Sequence, residues 1–74
     1  MMYDKDKDMR EEILKYQKQY LNSTISRHII NVENLLQNGV GVPEHADLME
    51  TIELELAKIA EAHDKLEVIE RYFE

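Results

Sequence analysis

The sequence predicts an all-α fold: an antiparallel two-helix hairpin, with two copies pairing into a dimeric four-helix bundle. Three observations predict it. Apolar residues recur at alternating gaps of three and four along two long segments, which is the spacing of one packed helix face. Both glycines and the only proline of the chain fall within Gly39-Val40-Gly41-Val42-Pro43. The two periodic segments also close on one another in a single register.

Helix one is expected over about residues 4–38. Its apolar seam reads Leu14, Lys18, Leu21, Ile25, His28, Val32 and Leu35, and Ile29 and Leu36 widen it. Asn22-Ser23-Thr24 is the weak point, since these side chains compete for backbone hydrogen bonds and are poor helix formers. A break there would turn the hairpin into a three-helix bundle.

The loop is expected over about residues 39–43. Gly39 ends helix one, because glycine adopts the left-handed conformation of a helix terminus cheaply. Pro43 suits the first turn of the next helix, where a missing N–H costs nothing. Glu44 and Asp47 place negative charge at the positive end of that helix.

Helix two is expected over about residues 43–73, with a seam of Met49, Ile52, Leu56, Ile59, His63, Leu66, Glu70 and Phe73. Leu48, Ala60, Ala62 and Ile69 flank it. Folded back antiparallel, partners have residue numbers that sum to about 84. Leu35 then faces Met49, Val32 faces Ile52, His28 faces Leu56, Ile25 faces Ile59, and Leu21 faces His63. The same register sets Lys15 beside Glu67.

Composition narrows the function classes. The chain has 74 residues, enough for one small domain, and a single chain of this size buries only about 60% of the surface its unfolded form exposes. Small folds compensate with disulfides, a metal or a partner chain. Cysteine is absent, so a partner chain is the expected supplement. No apolar run approaches the roughly 20 residues of a membrane span. The charged start, Met1 to Asp8, has no apolar stretch behind it, and the reading is a cytoplasmic protein.

Residues 1–38 hold six basic and six acidic side chains, and residues 39–74 hold three and ten, so the second half carries the whole net charge of −7. An acidic half is a poor surface for a phosphate backbone. The nucleic-acid alternative rests on Lys15, Lys18 and Arg27 with Tyr16 and Tyr20 nearby; the plainer reading makes this mildly basic helix the mate of the acidic one.

No constellation with catalytic, cofactor or metal-binding spacing stands out, and the chain reads as a non-enzyme. A zinc site without cysteine needs converging histidines and carboxylates, and no two histidines share a helix turn. His28 and His63 fall on the seams and are expected as packed core histidines that resist charging. Ser23, Thr24, Ser26 and Thr51 lie in no sharp glycine-flanked turn of the kind that presents a nucleophile.

The pairs Glu50-x-x-Glu53 and Glu61-x-x-Asp64 resemble the paired acidic motifs of the all-α nucleotide pyrophosphatases, which hold magnesium. That resemblance would imply a magnesium-dependent enzyme. In the family the pairs sit on different helices; here one helix carries both and turns them outward, which reads as a solvated acidic face.

The feature that calls for explanation is apolar surface beyond the seam. Met9, Ile13, Tyr16 and Tyr20 recur at gaps of four, three and four on the side of helix one away from helix two. Ala57, Ala60 and Ala62 would let another helix approach closely. Aromatic side chains are enriched at interfaces. These seven residues are the candidate interface, and the expected function is a small interaction or scaffolding module that binds a second copy or another protein.

Overall fold

The computed structural model describes residues 5–39 and 45–74, with side chains from Asp8 and from Ala46 onward. The chain forms two α-helices, α1 (Lys5–Asn38) and α2 (His45–Tyr72), which pack against each other as an antiparallel pair. Among the described residues there is no strand. Pro43 and Glu44 lie outside the described residues.

α1 runs unbroken through Asn22-Ser23-Thr24, so the three-helix alternative falls. Thr24 avoids competing with the helix by turning its hydroxyl back: Oγ1 donates to the carbonyl of Tyr20 at 3.0 Å. Thr51 does the same to Asp47 at 2.9 Å in the first turns of α2. Asp47 lies in the first turn of α2 and Arg71 in the last, each opposing the partial charge of its helix end. The Phe73 N–H donates to the Ile69 carbonyl at 2.9 Å and closes that last turn.

The C-terminal end of α2 is tied to α1 from the side. Arg10 Nη2 donates to the Phe73 carbonyl, and Lys18 Nζ to the Glu74 carboxylate, each at 2.6 Å. Lys18 thus sits half-buried on the seam and carries its ammonium to a charge at the seam's edge.

The seam of α1 holds every position the periodicity assigns to it: Leu14, Lys18, Leu21, Ile25, His28, Val32 and Leu35 are all buried or half-buried. The seam of α2 does not. It runs Leu48, Ile52, Glu55, Ile59, Ala62, Leu66 and Ile69. Ile52, Ile59 and Leu66 are as expected, but Met49, Leu56, His63 and Glu70 are exposed, and the residue before each takes its place; Phe73, expected at the end of the seam, is exposed as well. The core is small: Leu21, Ala62 and Ile69 are buried, with Leu14, Ile25 and Leu66 packed against them.

Unpaired polar groups explain the rotation of α2. The expected seam would press His63 and Glu70 into aliphatic layers, where a polar group without a partner is costly. The observed seam brings in one polar residue, Glu55, and sets it against His28. No buried side-chain nitrogen or oxygen among the described residues lacks a partner.

The register stays close to the expected sum of 84. The contacts His28–Glu55, Asn31–Glu55 and Gly39–Leu48 have numbers that add to 83, 86 and 87. Lys15 and Glu67 do not pair. The Lys15 ammonium sits 5.5 Å from the centre of the Tyr16 ring, and Glu67 lies beside His63 at 3.9 Å.

Gly39 follows α1 directly, as expected, but for a different reason. Its φ lies outside the left-handed region. What demands glycine is space: a Cβ here would collide with the Leu48 side chain and stand 2.8 Å from the Leu35 carbonyl oxygen.

Candidate interaction site

An isolated hairpin leaves an unusual amount of surface open. The chain exposes 6221 Å², against about 4,800 Å² for a compact monomer of 8.8 kDa. Its radius of gyration is 17.7 Å, where about 11 Å is typical of a compact domain of this length. The extents are 62 × 24 × 12 Å, so the molecule is a single layer of helix. Stable domains pack at least two layers around a core.

One open surface is the outer side of α1. Met9, Ile13, Tyr16 and Tyr20 form a continuous stripe there, each between 55% and 63% exposed. Helical spacing explains the stripe: steps of three and four keep residues on one face, and this face points away from α2. At its end Phe73 comes over from α2, and a shallow recess forms between Met9, Arg10, Ile13, Leu14 and Phe73. Periodicity of α1 alone did not show that contribution from the far end of the chain.

The three alanines separate. Ala57 and Ala60 are exposed on α2. Ala62 is buried between the two helices of the hairpin, so it serves the approach of α1 rather than of a second chain. Its small methyl side chain lets Leu21 pack close.

A second open surface emerges only from the pairing. In an antiparallel pair of right-handed helices, the residues that follow Leu21, His28 and Leu35 project to the same side as those that follow Leu48, Glu55 and Ala62. That side carries Ile29 and Leu36 from α1 with Met49 and Leu56 from α2, all exposed. The half-buried Ile25, Val32, Ile52 and Ile59 lie along it. The opposite side carries Gln17, Thr24, Asn31, Thr51, Lys58 and Lys65. Near the Asn38 end the hairpin thus has one apolar and one polar broad face. Sequence reasoning assigned Met49 and Leu56 to the seam and so missed the open apolar face.

The two histidines have different fates. His28 is 6% exposed and its Nδ1–H donates to Glu55 Oε2, which requires the ring proton on Nδ1. Asn31 Nδ2 donates to the same oxygen at 3.2 Å. The bond from His28, then that from Asn31, hold the Glu55 carboxyl below its ordinary value of 4.5, against a smaller desolvation effect. His63, expected in the core, has a side chain 65% exposed because α2 turns the neighbouring Ala62 inward instead.

The remaining candidates do not converge. Lys15 and Lys18, one turn apart, border a common recess in which Glu74 engages Lys18, but Arg27 lies on the opposite side of α1. Glu50, Glu53, Glu61 and Asp64 are exposed on α2, with Glu61 bonded to Lys65 at 3.0 Å. Among the described residues no three histidine or acidic side chains cluster as a metal site would require, and no helix is long and apolar enough to cross a membrane. Comparison of the chain with protein-family models, curated proteins and solved structures finds no match to any of them.

Proposed function

We propose that this chain is a helical protein-interaction module that works as a dimeric four-helix bundle. One observation carries the reading: the hairpin exposes about 1,400 Å² more than a compact monomer of its mass, and large apolar side chains supply much of that surface. A stable protein interface needs about 800 Å² from each partner. The open surface therefore exceeds what one such contact requires.

Energetics point the same way. One seam per helix offsets an ordering cost of roughly 1.5 kcal/mol per residue poorly. Fully burying a large apolar side chain contributes about 1.5–3 kcal/mol, of which about half is still to be gained at Leu56 or Tyr20, and a twofold interface uses each residue twice. The outer stripe of α1 and the apolar broad face are the two surfaces available.

The test is molecular mass by light scattering at micromolar concentration, with helix content followed by circular dichroism. A mass near twice 8.8 kDa is expected. A fully helical protein with the mass of one chain overturns the reading.

A further inference from the structure

The two open surfaces differ in a way that assigns the second copy to one of them. We propose that the broad face carrying Ile29, Leu36, Met49 and Leu56 docks on the same face of a second copy, with the Asn38 ends of both α1 helices together, so that α1 of each chain lies on α2 of the other. This rests on the interaction reading above and specifies its partner and geometry.

The face is built for another layer of helix. Its exposed residues come from both helices, so a second hairpin laid on it touches both and encloses the seam between them. The outer stripe of α1 belongs to one helix and offers a single line of contact. Burial is also lopsided across the seam. On the polar side Leu21, His28, Ala62 and Ile69 are buried by the hairpin itself, and Leu14, Leu35, Leu48 and Glu55 are half-buried. Ile25, Val32, Ile52 and Ile59, on the apolar side, are only half-buried. Two helices leave that side of the seam unfinished, and a second pair completes it.

The open area fits the same occupant. The excess of about 1,400 Å² per chain, shared between the open surfaces, exceeds the roughly 800 Å² per partner that a stable interface needs.

Pattern and charge choose the orientation. Towards the chain termini the same flank carries Lys15 and Asn22 on α1, and His63 and Glu70 on α2. With the Asn38 ends together, the apolar halves meet each other and the polar halves meet each other. With those ends apart, Ile29 and Leu56 would lie on Asn22 and His63. The first arrangement also stacks α1 on the partner's α2, and the second stacks α2 on α2. α1 holds six basic and five acidic side chains, and α2 holds three and eight, so their net charges are +1 and −5. Placing α1 on α2 sets each strongly acidic helix against a nearly neutral one, whereas α2 on α2 sets acid against acid.

The absence of cysteine allows single-site labelling. Asn38→Cys carrying a spin label, in the otherwise unchanged chain, should give a label-to-label distance under about 35 Å, because the two sites share one end. Opposite ends would separate them by a large part of the 62 Å length; a distance beyond about 45 Å, some 30 helical residues at ~1.5 Å, overturns the orientation. Mass measurements on charged variants test the face. Leu56→Asp or Ile29→Asp should raise the dimer dissociation constant at least a hundredfold, and Ile13→Asp and Tyr20→Asp should leave it within about threefold. A dimer lost only with the Ile13 and Tyr20 variants overturns this face while keeping the interaction reading. A wild-type mass of one chain removes both. If a charged variant unfolds, the uncharged Leu56→Ala and Ile29→Ala, read in the same way, decide the face, and the spin-label distance decides the orientation.

Discussion

His28 and Glu55, 27 residues apart in sequence, bond each other inside the helix pair, and Asn31 holds the same carboxylate oxygen. The arrangement is a polar layer within an aliphatic seam. It selects which face of α2 turns inward, because only this rotation gives the buried imidazole an acceptor.

The coupling should be measurable. Glu55→Leu strands the His28 N–H, and a buried donor without a partner is destabilising. The melting temperature is expected to fall by about 5–10 °C. His28→Leu combined with Glu55→Leu should recover much of that loss, since replacing both members of a buried polar pair by apolar groups is often neutral or better. Thermal unfolding followed by circular dichroism reads both; additive losses would show that the two side chains act independently.

The same pair sets the acid response. The Glu55 carboxyl is depressed below 4.5, chiefly by the bond from His28. A depressed folded-state value means the contribution is present above the unfolded value and is lost as pH falls through the folded one. The seam expected from sequence alone would instead loosen near pH 6, with both histidines charging against aliphatic neighbours. Neither histidine has those neighbours: His28 faces the Glu55 carboxylate and the His63 side chain is exposed. Melting temperature should therefore decline below about pH 4.5, and Glu55→Gln should make that decline shallower. An identical acid profile in the variant would refute the assignment.

The alanines give a contrast within one helix. Ala62→Leu forces extra volume between α1 and α2, and overpacking of this kind costs about 1–3 kcal/mol. Ala57→Leu and Ala60→Leu point outward and should leave the unfolding free energy within about 0.5 kcal/mol. Urea unfolding of the three variants checks this; equal effects would mean that Ala62 is not a point of close approach.

Gly39→Ala tests why the first helix ends where it does. The added methyl meets the Leu48 side chain, which can move, and the Leu35 carbonyl, which cannot easily do so. A loss of about 1–3 kcal/mol is expected from this crowding. If melting is unchanged, the close approach of Leu48 is not what keeps glycine at this position.

The sequence by itself determined the helices, the break between them and the inward face of α1. Each is a local property: periodicity marks a helix, glycine and proline interrupt it, and on α1 one apolar stripe stood apart from another on the far side. On α2 the apolar residues spread over three adjacent lines, led by Leu48, Ile52 and Met49, so two seams fitted the same spacing. Tertiary structure decided between them. A choice one residue apart around a helix hangs on what each polar side chain meets across the gap. Glu55 reads from sequence as one more acid on an acidic helix, and becomes the preferred inward residue only when His28 is opposite it. Turning Glu55 in turned Met49 and Leu56 out, and that rotation created the apolar face which neither helix displays alone.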